Sequence, residues 1–464
     1  ALTRFYRDWY RPDLMAVIAV GDFDIPTVTQ LIQNRFGRLT PAGPNARRRV
    51  DYRIPARDST AVAIATDPEA TGTSVGVYHL KPSDLDPTKE AFRRSLVEQL
   101  YSQMLNGRLY ELSQQPNPPF LGAGGGGGRL VRGNEAFSLG AAVADTGVLR
   151  GFEAVLTEVE RVEQHGFTTA EFERTKQDFL RSYEQAFAER EKTESANYVE
   201  QYVRLYLTGE PSPGIEYEFE LVKAMLPAIG LPEVNAAARG WFGVPDRVLL
   251  VNGPEKAAAR VPTEAELLSL YDRVSRSPVT AYAETVSDAP LVATDLPARA
   301  PVSEVRNAEL GLTTWTLPNG VRVILKPTDF KADEVLLSAT SPGGSSVEPD
   351  SLFLATMFGS QVVNLGGLGA FSAIELQKKL AGKAVSVSPF ISTYQEGIQG
   401  QASPRDLETL FQLVYLHFTA PRRDAEAFAA FRTNIQAALA NRGASPDVAF
   451  RDTLTVTLAQ HHPR

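Results

Sequence analysis

The sequence predicts a multidomain α+β protein in which each domain is an antiparallel sheet covered by helices on one face. Apolar runs of strand length come in pairs, and long helical periods such as 88–109 separate or follow them. The pattern recurs 259 residues later, where Leu336 corresponds to Val77 and Gly397 corresponds to Ser138. A repeat of this length indicates duplicated domains rather than a solenoid of short units.

The first residues have the pattern of a domain's end. An aromatic helix end, Phe5–Tyr10, precedes Pro12, which cannot continue a helix. The apolar run Leu14–Val20 has strand length, and Asp24 is placed to cap a new helix. Trp9 and Gly21 of this closing unit are 12 positions apart, and the unit recurs with the same spacing at Trp241–Gly253. We therefore expect the chain to begin inside a domain.

The middle of the sequence predicts a complete domain. Residues 41–59 are rich in Pro, Gly and Arg and have few apolar side chains, which is typical of an interdomain connection. Alternation and apolar runs then predict strands, and helical periods with capping residues predict helices. The predicted strands are 61–65, 73–80, 123–131, 136–144 and 247–252, and the predicted helices are 88–114, 149–164, 168–183, 192–207 and 216–226.

The last third predicts a further domain after a long connection. Residues 263–308 contain four spaced prolines and exposed charges, so a partly extended joint is expected there. Asn319-Gly320 between alternating apolar residues is a strong hairpin signal. The remaining predicted strands are 334–339, 385–392 and 395–401, and the predicted helices are 352–363, 372–380, 406–417 and 424–441.

Composition excludes several classes of function. The net charge of -8 offers no basic face for nucleic acid. No apolar run approaches the roughly 20 residues of a membrane span, so no membrane partner is expected. The absence of cysteine excludes disulfides, thiolate metal sites and cysteine nucleophiles. It leaves the compartment open, although it suits an oxidising one such as the periplasm.

Residues 1–40 resemble the segment that closes the zinc-bearing domain of the pitrilysin or insulinase family, the inverzincin zinc metallopeptidases that include processing peptidases. The shared features are the aromatic helix, Arg11-Pro12-Asp13 and Gly21-Asp22-Phe23-Asp24. Leu317-Pro318-Asn319-Gly320 resembles the start of a domain in that family. The resemblance implies repeated pitrilysin-like domains: residues 1–42 as the tail of the first, zinc-bearing domain, 50–262 as the second, non-catalytic domain, 263–308 as a linker and 309–464 as an incomplete third domain.

Zinc in this family is held by a His-x-x-Glu-His motif, in which two His on one helical face bind the metal and the Glu acts as a base. The chain contains five histidines, His79, His165, His417, His461 and His462, and none belongs to such a motif. The helix expected at the matching place in the third domain carries 355–360, whose side chains cannot bind zinc. We therefore expect no catalytic residue and no metal ligand in this chain, and zinc only in the parent protein.

The histidines have ordinary structural interpretations. His79, in a predicted strand, and His417, on an aromatic helix, are expected to pack in the protein interior. His165 precedes Gly166 and is expected in the last turn of a helix, where a cation complements the helix dipole. His461-His462 is expected to be an exposed tail.

The candidate substrate-binding residues are Gly124, Gly125, Gly126 and Gly127. They lack the Lys-Ser or Lys-Thr of a phosphate loop, which argues against nucleotide binding. Glycine in a strand lets another backbone approach, so an extended peptide is expected to add to this strand. A flexible hairpin without a ligand explains the same residues equally well.

The resemblance implies that the parent is a zinc-dependent endopeptidase or oligopeptidase. This chain is expected to form chamber wall and substrate-binding surface and to be inactive alone. Its expected partners are peptide or unfolded polypeptide, and the other half of the same protein or a second subunit. The alternative is a non-catalytic peptide-binding or partner subunit of a two-subunit peptidase. A purely structural assembly protein is a third hypothesis.

Overall fold

The computed structural model describes all residues except 42, 45, 51, 53, 84–85, 244, 257–259, 285, 294–296 and 463. An N-terminal segment (1–41) precedes a middle unit (54–274), a connecting segment (275–302) and a C-terminal unit (303–464). The middle unit is built on a five-stranded sheet, and the C-terminal unit contains two three-stranded sheets. Among the described residues, no helix has the length and apolar character that a membrane crossing requires.

The N-terminal segment contains helices α1 (Leu2–Trp9) and α2 (Ile25–Phe36). As predicted, the Asp24 carboxylate caps α2 by accepting a hydrogen bond from the Thr27 N–H at 2.9 Å. The expected strand at 14–20 is wrong. A 3₁₀ turn at Pro12–Leu14 leads into an extended backbone that pairs with no strand in the described part of the chain. An apolar run of strand length is therefore not sufficient to predict that a segment joins a sheet.

The middle unit's sheet has the order β1-β5-β2-β4-β3. Its strands are β1 (Thr60–Asp67), β2 (Thr73–Pro82), β3 (Gly122–Val131), β4 (Asn134–Val143) and β5 (Arg247–Pro254). The pairs are antiparallel except β1 with β5, which corrects the expectation of a purely antiparallel sheet. The chain reverses direction between β1 and β2. A strand that lies between them and is antiparallel to β2 must therefore run parallel to β1.

Helices cover one face of this sheet. They are α3 (Lys89–Ser113), α4 (Val148–His165), α5 (Thr169–Ala188), α7 (Ile215–Met225), α8 (Leu231–Ala237), α9 (Arg239–Phe242) and α10 (Glu264–Val274), whereas α6 (Ser195–Thr208) contributes no buried residue. Val77, Leu139 and Leu249 point from neighbouring strands into the buried core under these helices. The opposite face carries small residues such as Ser74 and Gly140 and borders an open cavity of 390 Å³. Alternation along each strand thus separates a packed face from an open one.

The C-terminal unit repeats part of this arrangement. Its strands are β6 (Ser303–Asn307), β7 (Leu312–Thr316), β8 (Arg322–Leu325), β9 (Val335–Pro342), β10 (Val385–Ile391) and β11 (Gln395–Ala402), and its helices are α11 (Phe353–Gly366), α12 (Ala373–Lys379), α13 (Leu407–Thr419), α14 (Ala425–Ala440) and α15 (Pro446–Leu458). The sheet order β10-β11-β9 matches β3-β4-β2, as expected for a duplicated domain. The predicted hairpin joins β7 to β8, with Gly320 at a φ of +86° in its turn.

Four helices of the described structure, α8, α9, α10 and α15, were not predicted from the sequence patterns. Helix α10 lies within 263–308, where Thr263 and Glu266 form a capping box at its start. Its Leu267 and Leu270 are buried in the middle unit's core. Helix α15 follows Ser445, whose side chain accepts a hydrogen bond from the Val448 N–H. The domain boundaries themselves remain predictions.

Ion pairs join the middle and C-terminal units through the connecting segment. Lys378 Nζ on α12 lies 2.6 Å from a Glu111 carboxylate oxygen on α3 and 3.0 Å from one of Glu284. It also donates to the Tyr282 hydroxyl at 3.0 Å, and Arg174 on α5 binds Glu284 at 2.6 Å. We name Glu111, Arg174, Tyr282, Glu284 and Lys378 the junction cluster. Burial opposes the charge on Lys378, but the hydrogen bonds that its ammonium donates to Glu111, Tyr282 and Glu284 raise its pKa above its usual value.

Candidate functional site

The glycine-rich strand lies at an edge of the middle unit's sheet. Gly124–Gly127 belong to β3, which pairs with β4 along one side only. On its other side runs helix α3, with Glu98, Ser102 and Asn106 spaced four residues apart and facing the strand. The structure therefore places the four predicted site residues together, between a sheet edge and a polar stripe of α3.

A side chain would be crowded at two of these glycines and would have ordinary space at the other two. A Cβ on Gly125 would lie 3.0 Å from the Leu139 side chain, and one on Gly127 would lie 3.3 Å from the Trp241 ring. On Gly124 and Gly126 the nearest atoms would be at ordinary contact distances of 3.5 and 3.8 Å, on side chains of α3. Larger residues at these two positions would instead occupy the space between β3 and α3. Glycine there keeps that space open.

Asn106 occupies part of the strand edge. Its Nδ2 donates to the Gly125 carbonyl oxygen at 2.9 Å, and its Oδ1 accepts from the Gly125 N–H at 2.8 Å. The carboxamide thus makes both hydrogen bonds that a neighbouring strand would make. Because the outward direction alternates along an antiparallel edge strand, the backbone groups of Gly127 point away from β4 as those of Gly125 do.

An open groove follows this edge. It encloses 790 Å³ between α3 and Gly125–Gly127, and Gln377 of α12 also contributes to its wall. At one end the Glu98 carboxylate accepts a hydrogen bond from the Trp241 indole N–H at 3.1 Å. Lys81 Nζ lies 3.3 Å from the same carboxylate and 3.6 Å from the centre of the Trp241 ring. These contacts fix the indole ring at the end of the groove.

Sequence reasoning named the glycines but missed the polar wall of the groove. Glu98, Ser102 and Asn106 lie on one side of a helix whose other side is buried. Polar residues at i, i+4 and i+8 on such a helix were the available signal. The sequence pattern assigns Trp241 only to the closing unit, because no local sequence feature shows that its ring reaches β3.

A buried ion cluster stabilises the far end of α3. Arg108 Nε and Nη2 donate to the two Glu171 carboxylate oxygens at 2.7 and 2.8 Å, and its Nη1 donates to Glu158 at 3.2 Å. The Gly166 carbonyl accepts from Nη2 at 3.2 Å. Glu171 also completes the capping box of α5 with Thr168. This cluster joins α3, α4 and α5 and thereby holds the groove wall in place.

The histidines occupy separate places in the fold. His79 is fully buried in β2 against Phe242, and burial together with the charge of Arg247 lowers its pKa to about 3. His165 ends α4 with a ring nitrogen 2.7 Å from the Val279 carbonyl oxygen. His417 on α13 is half-buried, which lowers its pKa, and the tail histidines are exposed. The interpretations of His79, His165 and the tail histidines are confirmed, whereas His417 is only partly in the interior.

The residues at the family's zinc position do not fit a metal. Within the described ranges, no group of three or more His, Asp or Glu side chains is arranged to hold a metal ion. Helix α11 follows β9 in the C-terminal unit as α3 follows β2, the corresponding strand, in the middle unit. Its residues 355–360 are Ala, Thr, Met, Phe, Gly and Ser, none of which is a zinc ligand of the required type.

Comparison with known proteins shows which class of peptidase the chain is similar to. Residues 1–179 match the peptidase M16 inactive domain. The chain is 28% identical over 419 residues to the zinc protease PQQL-like of Arabidopsis thaliana, covering 90% of this chain and 38% of that protein. It is 24% identical over 426 residues to the probable zinc protease PqqL of Escherichia coli K12, covering 90% and 45%. The resemblance to the pitrilysin or insulinase family is confirmed.

Solved structures show the same fold. The periplasmic protease PqqL from Escherichia coli aligns with a TM-score of 0.54 and 21% identity, covering 98% of this chain and 50% of that one. A mutant of the ferredoxin protease FusC in complex with Arabidopsis ferredoxin aligns with a TM-score of 0.59 and 20% identity, covering 98% and 51%. The α+β fold prediction is therefore confirmed. The chain spans about half the length of these proteins, or less.

Proposed function

We propose that this chain is a non-catalytic, polypeptide-binding part of a zinc-dependent endopeptidase or oligopeptidase and forms a wall of its substrate chamber. The observation that carries the proposal is the glycine-rich edge strand beside an open groove. The match to an M16 inactive domain and the similarity to proteins named zinc proteases support it. We assign the catalytic zinc to residues of a longer protein that are not among these 464.

Substrate binds, in this proposal, by adding a strand to β3. The outward N–H and C=O groups of an edge strand pair with any extended backbone, so binding does not depend strongly on sequence. Gly124 and Gly126 leave the groove wide enough for a chain to enter beside α3. The substrate class is therefore extended peptide or unfolded polypeptide, bound at Gly124–Gly127.

The proposal extends to partners and compartment. Because this chain forms only one wall of the substrate chamber, the opposite wall must come from the other half of the same protein or from a second subunit. The Escherichia coli relative is described as a periplasmic protease, and we propose an extracytoplasmic place for this protein as well.

The test measures binding of an unstructured, fluorescently labelled peptide by anisotropy. Gly126→Val places a side chain in the groove without a backbone clash, and we expect it to weaken binding at least tenfold. Gly122→Val is the matched control, because Gly122 lies on the same face of β3 but outside the groove. It should leave the dissociation constant within twofold. Equal affinities for both variants would remove the groove from the proposal.

Zinc content and peptide hydrolysis test the non-catalytic assignment. We expect the chain to hold less than stoichiometric zinc after dialysis and to leave a quenched peptide library intact. Cleavage should appear when the missing part of the longer protein is supplied. Bound zinc with hydrolysis by the chain alone would overturn the assignment. Peptide binding without cleavage in either sample would favour the partner-subunit alternative.

A further inference from the structure

A second cavity adjoins the groove beyond the part of β3 that Asn106 occupies. It encloses 740 Å³ between β3, α3, α7 and the loop 209–214, and it shares Gly127 and Glu98 with the groove. We call it the β3 cavity. Its described walls include Phe92, Pro211, Pro213, Tyr217, Leu221 and Trp241. The cavity is thus continuous with the strand edge, and its apolar and aromatic residues stand among charged ones such as Lys89, Arg129 and Glu218.

The charged groups around the β3 cavity compensate one another. Arg204 pairs with Glu210 at 3.4 Å, and Lys81 pairs with Glu98 at the inner end. Burial raises the pKa of the Glu218 carboxyl, and the nearby Glu210 adds to that shift. Glu218 therefore marks a part of this wall that is partly shielded from water, next to Tyr217, which is 46% exposed. Such surroundings select a neutral, apolar group rather than a charged one.

The adjacent strand edge indicates that this apolar group is a side chain of an extended polypeptide. The backbone groups of Gly127 point out of the sheet, next to the cavity, and a strand paired there places alternate side chains on opposite faces. Lys81 holds the Trp241 ring in the cavity wall close to Gly127. One side chain of a polypeptide strand paired at Gly127 therefore faces the apolar residues in the wall of the β3 cavity.

We propose that the β3 cavity receives one bulky apolar side chain, aromatic or leucine-like, of an extended polypeptide that pairs with β3 at Gly127. This inference rests on the proposed function and gives it a sequence preference. The polypeptide backbone is held by the edge, and the cavity selects segments that carry a large apolar residue at the position facing Trp241. Segments that carry such a residue are normally buried in folded proteins and become accessible when the protein unfolds, so the preference favours unfolded substrates.

The test uses ten-residue unstructured peptides that differ at one central position, Phe, Leu, Ala or Glu. We expect the Phe and Leu peptides to bind at least tenfold more tightly than the Ala peptide, because the cavity removes their apolar surface from water. The Glu peptide should bind no better than the Ala peptide. Tighter binding of the Glu peptide than of the Phe peptide would overturn the proposal.

Variants connect the preference to the β3 cavity. Tyr217→Ser removes an aromatic wall residue that is 46% exposed, so the fold should persist, and Ala91→Leu fills the cavity from a part of α3 that does not line the groove. Both should reduce the Phe-to-Ala affinity ratio to below about threefold without weakening the Ala peptide. Tyr202→Ser on α6, at 42% exposure and outside the cavity, is the control and should keep the full ratio. Equal binding of all peptides to the parent chain would overturn the cavity proposal and leave the proposed function standing, whereas no binding of any peptide would overturn both.

Discussion

Arg108 shows how this protein accommodates a charge in its interior. The side chain is 2% exposed, yet its donors reach two carboxylates and one carbonyl oxygen. Burial disfavours the guanidinium charge, but Glu171 and Glu158 outweigh it and raise its pKa. Two acidic residues and one basic residue thus form a unit in which each member depends on the others.

We expect Arg108→Met to destabilise the middle unit by about 3–5 kcal/mol, because the buried Glu171 loses its cation and Glu158 keeps only Arg161, at 2.9 Å. Arg108→Lys should recover little of this, since an ammonium cannot reproduce the two parallel hydrogen bonds to Glu171. Urea denaturation monitored by circular dichroism measures the change. Arg93→Met is the matched control: Arg93 binds Glu233 through the same two donors, at 2.6 and 3.1 Å, but on the surface. Its cost should stay within about 1 kcal/mol, and an equal loss in both variants would contradict the argument.

His79 is a buried polar residue of a different kind. Among the described residues, neither ring nitrogen has a hydrogen-bond partner. The ring packs edge-on against Phe242 at 4.9 Å between centroids. Because its pKa is about 3 in the folded chain, the imidazole stays neutral there at any pH near neutrality. The unfolded chain has a histidine pKa of about 6.5 and takes up a proton more readily.

This difference predicts a pH dependence of stability. Below about pH 6.5 the unfolded chain binds a proton that the folded chain excludes, so the contribution present above that pH is lost as the pH falls towards 3, by about 1.4 kcal/mol per unit. His79→Leu should remove this part of the slope. Urea midpoints of the variant and parent should therefore diverge in the variant's favour between pH 7 and pH 5. His462→Phe in the exposed tail should follow the parent, and parallel curves for His79→Leu would contradict the prediction.

At the scale of elements, β3 is an edge strand that α3 partly closes. Exposed strand edges invite pairing with other chains, and native proteins cover them. The Asn106 carboxamide covers Gly125 in this way and leaves Gly127 uncovered. The helix therefore both protects the strand and determines where along it another backbone has access.

Asn106→Ala should uncover Gly125 and strengthen peptide binding about three- to tenfold, since the peptide gains up to two backbone hydrogen bonds of about 0.5–1.5 kcal/mol each. The anisotropy titration of the labelled peptide measures this. Asn434→Ala, on α14 and away from the groove, serves as the control for loss of a carboxamide. Weaker binding by Asn106→Ala would show that this side chain holds the peptide instead of competing with it.

The elements that sequence could predict are those with local signals. Asn319-Gly320 defines its hairpin, and Thr168 with Glu171 defines the start of α5. Thr263 and Glu266 carried an equally good capping signal for α10, but surrounding prolines favoured a linker. The parallel β1–β5 pair had no local signal, because strand order depends on where a distant strand inserts. The end of the groove formed by Trp241 had none either, because the ring reaches β3 only through the fold.

At the scale of the whole molecule, the junction cluster joins units that have separate sheets. Glu111 comes from α3, Lys378 from α12, and Tyr282 and Glu284 from the segment between the units. Gln377, the neighbour of Lys378, lines the groove. The orientation of the C-terminal unit therefore affects the shape of the candidate binding site.

Lys378→Ala should loosen the two units, because the Glu111 and Glu284 carboxylates then face each other without their shared cation. We expect limited proteolysis within 275–302 to become at least fivefold faster and thermal unfolding to separate into two steps. Lys331→Ala is the control, since Lys331 also reaches across the units, to Glu189 at 4.0 Å, but is 40% exposed. Unchanged cleavage and a single transition in Lys378→Ala would show that the cluster does not hold the units together.

The parallel pairing of β1 with β5 has a consequence during synthesis. Thr60 is aligned with Arg247, 187 residues further along the chain. At roughly 5–20 residues per second, β1 leaves the ribosome about 10–40 s before its partner exists. Until then β1 has no neighbour, and β2 lacks one of its two. We expect a nascent chain that stops before β5 to leave both strand edges unpaired and therefore to aggregate more readily than the 464-residue chain.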